Sequence, residues 1–287
     1  MLNPGITKLA SGLYLVATPI GSARDITLRA LDGLASADVL AAEDTRTLRK
    51  LMEIHGIALN DRQVLAYHDH NGAQMRPRLM ALLEQGLSLA YASEAGTPMV
   101  ADPGFDLARA ARAGGHMVTT APGPSAVVTA LTLGGLPTDR FFFAGFLPNA
   151  SGQRKTALRK YADVPGTLVF YESPKRIAAM LRDAAEVLGP QRQGAICREL
   201  TKKFEEVIAG SLEELAATTA ARSLKGEIVV LIDRKSSGNV NESDLEGMLI
   251  EALREGSVRD AADAVAAMTG LPRRQVYQMA LKLEQGE

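Results

Sequence analysis

The sequence is poor in the residues that build disulfide frameworks and cysteine-based metal sites. Among its 287 residues there is one cysteine, Cys197, and no tryptophan. A single cysteine excludes an internal disulfide framework and a zinc knuckle. No apolar run approaches membrane-spanning length, and the first residues lack the basic and apolar regions of a signal peptide. We therefore expect a cytoplasmic protein with no membrane span and no metal site.

Several common binding motifs are also missing. No two of the 26 glycines are two residues apart, so the dinucleotide-binding pattern G-x-G-x-x-G is absent. The Walker A, H-E-x-x-H and G-x-S-x-G patterns are absent as well. The net charge of −1 gives the protein no overall electrostatic attraction to nucleic acid or to a membrane. An enzyme with this sequence must use another kind of site.

Short apolar runs alternate with helix-period segments along most of the chain, which predicts a mainly parallel sheet with helices on both faces. The pattern stops at Ala121-Pro-Gly-Pro-Ser125 and then restarts, and it includes a helix predicted from Pro174 to Leu188. A short Thr-Lys-Lys connection after Arg198 predicts an antiparallel hairpin. We predict an α/β fold with two α/β domains, residues 1–121 and 122–235. Residues 236–287 form a polar linker and a helical tail shaped like a helix-turn-helix, which serves either as a cap or as a nucleic-acid contact.

Four loops at predicted strand ends carry the candidate site. The first holds Pro19 and Gly21, whose bare backbone suits close approach to a ligand, although an ordinary turn explains it equally well. The longest, 91–105, follows an apolar strand and contains two glycines and two prolines. Its exposed backbone suits ligand binding, and its acids suit a cation or a ribose. The third loop is 121–125, and the fourth places Glu172 at the end of a strand.

Basic residues occur in local pairs, among them Arg154-Lys155, and these either line a phosphate-contacting surface or form a solvated helix face. Arg46 either contacts RNA phosphate or pairs with the neighbouring acids. His68 and His70 are one residue apart and could chelate a metal, but further ligands are not evident nearby in the sequence.

Taken together and in this order, these loops resemble those of the tetrapyrrole-methylase superfamily. The similarity covers about Leu13 to Ile232, and the last helices match less closely. It rests on Leu13-Tyr-Leu-Val-Ala-Thr-Pro-Ile-Gly21, Ala42-Glu-Asp-Thr-Arg46, His68-Asp-His-Asn71, Glu94-Ala-Gly-Thr-Pro98, Asp102-Pro-Gly104, Pro122-Gly-Pro-Ser-Ala126, Tyr171-Glu-Ser-Pro174, Arg198-Glu-Leu-Thr-Lys202 and Lys225-Gly-Glu227. Within the superfamily the motifs look like those of the branch that methylates the ribose 2′-hydroxyl of a cytidine in the decoding region of 16S rRNA.

The resemblance implies that S-adenosylmethionine binds in a cleft between the two domains, and that the protein is a homodimer whose partner is 16S rRNA in the small ribosomal subunit. The cofactor-binding residues that it implies are Pro19, Gly21, Ser93, Glu94, Gly96, Thr97, Pro98, Val100, Asp102, Ser125, Ala126, Tyr171 and Lys225. The RNA-binding residues are Arg46, His68, His70, Arg154, Lys155 and Arg198. Two positions depart from the family pattern: Ser22, where Asn is usual, and Glu94, where Asp is usual.

The ribose hydroxyl is a poor nucleophile, so a proton acceptor or a cation near it would help the transfer. We expect Glu172 or Glu199 to accept the proton and Lys202 to assist electrostatically. The alternative is that Arg198, Glu199 and Lys202 form a structural ion-pair network. Two other functions remain: a methylase of a tetrapyrrole or another small substrate, and a non-catalytic RNA-binding protein of ribosome assembly.

Overall fold

The computed structural model describes residues 6–100, 104–235, 242–269 and 271–285. These residues form two α/β units and a group of three helices. No helix within the described ranges is long and apolar enough to cross a membrane.

The first unit is a five-stranded sheet in the order β3-β2-β4-β1-β5, with every strand pair parallel. Its strands are β1 Gly12–Val16, β2 Val39–Ala42, β3 Val64–Ala66, β4 Ser88–Ala92 and β5 Val118–Ala121. Its helices are α1 Leu28–Ser36, α2 Thr45–Ile54, α3 Gly72–Glu84 and α4 Gly104–Ala113. Because β1 and β4 are neighbours, the loops that follow them meet at one edge of the sheet.

Local sequence explains these elements. All five residues of β4 are buried, as expected for a parallel strand covered on both faces. Helix α2 begins after Asp44, whose carboxylate accepts hydrogen bonds from the backbone N–H of Arg46, at 2.8 Å, and of Thr47. The strand and helix pattern predicted for this part of the chain is therefore correct.

The second unit is a mixed five-stranded sheet in the order β6-β7-β10-β8-β9. Its elements are α5 Ala126–Leu133, β6 Phe141–Phe146, α6 Ser151–Tyr161, β7 Thr167–Glu172, α7 Ile177–Leu188, β8 Gln193–Arg198, β9 Glu206–Ser211, α8 Leu212–Ala221 and β10 Ile228–Ile232. Strands β8 and β9 pair antiparallel, which confirms the predicted hairpin. Only β6 and β7 pair in parallel.

The prediction that α7 starts at Pro174 is wrong by three residues. The backbone N–H groups of Arg176 and Ile177 both donate to the carbonyl of Ser173, at 3.0 and 3.1 Å. A turn therefore precedes the helix, which begins at Ile177. This turn holds the end of β7 in place, where Glu172 lies.

The third unit consists of α9 Glu242–Glu255, α10 Val258–Thr269 and α11 Arg273–Gln285. Its helices pack around their own small core of Leu245, Leu249, Ala262, Val265, Val276 and Ala280. Most of the predicted linker, residues 235–243, lies outside the described residues.

Candidate cofactor cleft and catalytic site

A cavity of about 340 Å³ lies between the two α/β units. That volume is within the range of pockets that bind small molecules. Loops from the first unit form one wall, and the ends of β7, β8 and β10 form the other. The predicted residues that line it are Gly96, Thr97, Val100, Ser125, Ala126, Tyr171 and Glu172.

The loops after β1 and β4 are locked together at this cavity. Thr18 and Gly96 exchange two backbone hydrogen bonds, of 2.9 and 3.0 Å. The Ser93 hydroxyl donates to the carbonyl of Gly96 at 2.5 Å. Gly96 has a φ of +83°, and a Cβ there would lie 3.3 Å from Cγ2 of Ile20. Glycine is needed because a side chain would strain the backbone and crowd the wall of the cleft.

The Pro-Gly-Pro-Ser loop closes the same wall. A Cβ on Gly123 would come within 2.9 Å of the Ala17 Cβ, so this loop lies directly on the end of β1. The Thr97 hydroxyl donates to the carbonyl of Pro124 at 2.9 Å and joins the second loop to the third. Ser125 is the N-cap of α5, but its side chain makes no capping hydrogen bond. The first N–H groups of α5 and the Ser125 hydroxyl therefore stand at the cavity as donors.

Glu172 is a buried carboxylate in the opposite wall, with a side chain only 1% exposed. Its Oε1 accepts from the Ser173 N–H at 2.8 Å and lies 3.1 Å from Nε of Arg176. Its Oε2 has no hydrogen-bond partner among the described residues. Burial raises the pKa of Glu172, and the Ser173 N–H and the Arg176 charge offset only part of that rise. A raised pKa makes this carboxylate a stronger base than an ordinary glutamate, which suits a proton acceptor.

Glu199 and Lys202 form an ion pair instead. The Lys202 Nζ is 2.9 Å from Glu199 Oε1 and 2.9 Å from Glu227 Oε2, and Glu199 Oε1 also accepts from the Glu227 N–H. The hydrogen bond from Lys202 lowers the pKa of Glu199. Burial opposes the charge of Lys202, but its contacts with Glu199 and Glu227 raise its pKa overall. This geometry favours the ion-pair interpretation and makes Glu172 the better candidate acceptor.

Some predicted cofactor residues lie beside the cleft rather than in it. Pro19, Gly21 and Glu94 line an open concavity on the first unit, together with Arg46. A Cβ on Gly21 would be 2.5 Å from the Thr201 hydroxyl of the second unit, so this glycine allows close contact between the units. The Ser22 N–H donates to that hydroxyl at 3.0 Å through its backbone, a contact that does not depend on the Ser22 side chain.

The remaining cofactor predictions divide in the same way. Ser93 and Pro98 are buried and shape the loop rather than line the cavity. Lys225 lies with Arg198 and Glu199 in a third concavity, which shares Gly226 with the cleft. Asp102 lies outside the described residues.

The prediction that Arg154 contacts RNA is wrong. Its side chain is 5% exposed, and its Nε donates to Asp183 Oδ2 at 2.7 Å. The same guanidinium donates to the carbonyl of Asn149 at 3.1 Å, so it fixes the loop between β6 and α6. Lys155, next in the chain, pairs with Glu186 at 2.5 Å on the surface.

The other predicted RNA contacts occupy separate places. Arg46 pairs with Asp44 at 3.2 Å while 90% of its side chain stays exposed. The rings of His68 and His70 are 6.0 Å apart, and Nδ1 of His68 is buried without a partner among the described residues. The described part of the chain contains no group of three His, Cys, Asp or Glu side chains that could hold a metal ion. Arg198 pairs with Glu206 at 3.0 Å.

Sequence reasoning missed several residues of the cleft. Phe146, Cys197 and Leu200 line it, and the Phe146 ring packs edge-on against Tyr171 at 5.6 Å. Tyr171 and Cys197 both lie opposite Val229 across the sheet, so the three share one face. The set could not be predicted without the strand order. Once that order is known, the set follows, because alternate residues of each strand face the same side of the sheet.

Comparisons with known proteins agree with this architecture. The family model described as Tetrapyrrole (Corrin/Porphyrin) Methylases matches residues 12–216. The chain belongs to this family of methylases, which confirms the fold predicted from the sequence. A second model, described as RsmI C-terminal HTH domain, matches residues 239–284.

Two relatives of the chain are proteins called ribosomal RNA small subunit methyltransferase I. The one from Mesorhizobium japonicum is 47% identical and covers 96% of this chain and 93% of its own. The one from Vibrio cholerae is 42% identical and covers 98% of both. The chain is thus a methyltransferase, and the family's use of S-adenosylmethionine confirms the predicted cofactor.

Solved structures show the same fold at low sequence identity. A conserved hypothetical protein from Aeropyrum pernix K1 has a TM-score of 0.63 at 20% identity, over 97% of this chain and 98% of that one. A uroporphyrin-III C-methyltransferase from Thermus thermophilus, complexed with S-adenosylhomocysteine, has a TM-score of 0.54 at 22% identity, over 77% of this chain and 96% of that one.

Proposed function

We propose that this protein transfers a methyl group from S-adenosylmethionine to the ribose 2′-hydroxyl of a cytidine in the decoding region of 16S rRNA. The names of relatives that match almost the whole chain support rRNA of the small subunit as the substrate. The observation that carries the chemistry is the buried Glu172 carboxylate, since Glu172 lines the cleft and its Oε2 has no hydrogen-bond partner among the described residues.

The residues of the cleft fit this cofactor. The carbonyls of the loops after β1 and β4 suit the positive sulfonium, and the N–H groups at the start of α5 suit a carboxylate. The bound cofactor supplies an electrophilic methyl group. Rigid loops fixed by the Thr18–Gly96 bridge hold the reactants in position, which is the main requirement of an in-line transfer.

Glu172 then serves as the proton acceptor. When the cofactor is bound, the ribose oxygen would take its methyl group and the Glu172 carboxylate would take the 2′-hydroxyl proton, which leaves S-adenosylhomocysteine as the second product. Arg176 keeps one oxygen of that carboxylate in place, because its Nε lies 3.1 Å from Oε1. Lys202 contacts Glu227, which lines the cleft, and its positive charge would favour the developing alkoxide.

A small-substrate methylase of the same fold is the main rival. Arg154 does not favour an RNA substrate over a small one, because its side chain is buried. Arg159 and Lys160 on α6 remain exposed, and the tail matches a model named for a helix-turn-helix. We further propose that Arg46, Lys155, His68 and His70 contact the RNA substrate. A basic surface outside the cleft is needed for RNA and not for a compact substrate.

Two measurements test this function. Calorimetry with S-adenosylmethionine should show saturable binding, and its absence would remove both methylase functions and leave the RNA-binding alternative. Mapping 2′-O-methylation on 16S rRNA from cells with and without the gene should show one cytidine that loses its methyl group. An unchanged map would contradict the proposed substrate.

We also propose that the protein acts in the cytoplasm, where ribosomal subunits are assembled in bacteria, and that it is a homodimer. Val128 and Leu133 on α5 are 54% and 43% exposed, and such apolar side chains suit a contact between copies. Sedimentation equilibrium at micromolar concentration should give twice the chain mass. A monomer mass would contradict the dimer.

A further inference from the structure

The third concavity, which adjoins the cleft, has no role in the chemistry described above. It measures about 330 Å³ and lies where the connection between β8 and β9 meets the segment before β10. Its lining includes Phe204, Arg222, Lys225 and Gly226. Gly226 also lines the cleft, so the two cavities are neighbours.

Phe204 is an exposed aromatic ring at the rim of this concavity. It is 64% exposed, and Nζ of Lys203 lies 5.6 Å from the ring centroid. Proteins bind unstacked bases of single-stranded RNA on such aromatic surfaces, and nearby cations hold the phosphates. A phenylalanine that only filled the core would not be this exposed.

The charge around Phe204 is positive. Arg198 and Arg222 share a single carboxylate, that of Glu206, at 3.0 and 2.7 Å. Lys203 and Lys225 form no ion pair with the described residues, so their charges remain available to an anion. The concavity therefore combines an aromatic ring with an excess of positive charge, which is complementary to a nucleotide.

The backbone beneath the ring is rigid. Glu199 and Thr201 have φ values of +51° and +63°, which non-glycine residues adopt only when their surroundings enforce them. Gly226 has a φ of +87°, and a Cβ there would collide with the Glu199 side chain. The Lys202 ammonium and the Glu227 N–H then fix the Glu199 carboxylate. A connection held this firmly presents Phe204 in one place.

From these observations we propose that this concavity binds the nucleotide next to the methylated cytidine in a single-stranded stretch of the substrate RNA. The base stacks on Phe204, and Lys225 holds the phosphate. The inference rests on the proposed function, and it assigns Lys225 to the RNA rather than to the cofactor. A neighbouring nucleotide held here leaves the target ribose free to enter the cleft.

Methylation kinetics on small ribosomal subunits that lack the modification test this subsite. Phe204→Ala should raise KM about 5- to 140-fold, the range expected for loss of one base stack. Phe204→Trp should restore most of the loss, and the affinity for S-adenosylmethionine should not change in either variant. The matched control is Phe141→Ala, since Phe141 is 48% exposed on β6 and does not line either cavity.

The lysine is tested with the same assay. Lys225→Met should raise KM and reduce the slope of log affinity against log salt by about one, as expected for one lost phosphate contact. Lys8→Met is the control, because Lys8 is exposed ahead of β1, away from the cleft, and has no ion pair among the described residues.

The outcomes separate the two proposals. Normal kinetics for Phe204→Ala in an active protein would overturn the subsite and leave the function intact. An inactive wild-type protein would overturn both. Ultraviolet cross-linking to the subunit should attach a nucleotide at Phe204. An attached ribosomal protein, or a change of oligomeric state in Phe204→Ala, would show instead that this face contacts protein.

Discussion

The change Arg154→Met distinguishes a structural arginine from an RNA-binding one. The guanidinium is enclosed, with only 5% of the side chain exposed, and Asp183 is 11% exposed. The bond between them is 2.7 Å long, and a second bond reaches the Asn149 carbonyl at 3.1 Å. Methionine fills a similar volume but leaves the Asp183 charge buried, with the Ser151 hydroxyl as its nearest remaining donor.

The size of the effect follows from that burial. Removing one partner of a buried ion pair typically costs about 3–5 kcal/mol. For a chain of this size such a loss lowers the melting temperature by on the order of 10 °C. Arg154 does not line the cleft, so the cofactor affinity of the folded protein should change much less than its stability.

Urea unfolding followed by circular dichroism measures the change. Lys160→Met, on the exposed face of the same helix, is the stability control, and its free energy of unfolding should stay within about 0.5 kcal/mol of the wild type. Adding Asp183→Asn to Arg154→Met should recover about 1–3 kcal/mol, because the two sites are coupled. A variant as stable as the wild type but with a raised KM for ribosomal subunits would refute the structural assignment.

Three further predictions concern the cleft. Glu172→Gln should lower kcat by about 10²- to 10⁴-fold while leaving cofactor affinity unchanged. Because burial raises the pKa of Glu172 and the base must be ionised, wild-type kcat should rise with pH at values above those of an ordinary glutamate, and a pH–rate profile without that limb would contradict the role. Gly96→Ala and Gly56→Ala place alanine at φ values of +83° and +68°, so urea unfolding should show a loss of about 1–2 kcal/mol for each. Calorimetry should show weaker cofactor binding only for Gly96→Ala; equal binding in both variants would remove Gly96 from the site. Burial raises the pKa of the Cys197 thiol to about 11, so a maleimide at pH 8 should label it only after unfolding. Rapid labelling of the native protein would show that the cleft is more open than described.

The order of strands and helices could be predicted because the apolar runs are short and are separated by clear turn signals of glycine and proline. Strand β4 is followed by a loop whose glycines and prolines mark it as shaped, and the structure places that loop at the cleft. The start of α7 was harder to predict, because proline is common as the first residue of a helix. The turn closed by the Ser173 carbonyl delays the helix from Pro174 to Ile177.

The candidate site was predicted only in part, because it depends on how the two units face each other. Gly96 and Ser125 were identified from turn chemistry and line the cleft. Gly21 has the same sequence signal, but its close neighbour is Thr201 in the other unit. No local pattern gives that contact, because Thr201 follows Ser22 by 179 positions in the chain, although the Ser22 N–H donates to its hydroxyl.

Arg154 shows a second limit. A helix rich in basic residues suggests an exposed, RNA-binding surface, but some of its positions face inward. Arg154 is one of them, and its partner Asp183 is 29 residues away in the chain. Spacing alone does not show which basic residue of the helix is buried. Phe146 was likewise not predicted as a site residue, although it lines the cleft.

The central claim is that the cleft methylates a ribose hydroxyl of small-subunit rRNA with Glu172 as the proton acceptor. Purified protein, S-adenosylmethionine and small ribosomal subunits lacking the modification should be combined, and the nucleosides released from the rRNA measured by mass spectrometry. We expect 2′-O-methylcytidine at up to one residue per subunit with the wild type, and very little in the same time with Glu172→Gln. No methylated nucleoside, a base-methylated one, or equal rates from the two proteins would contradict it.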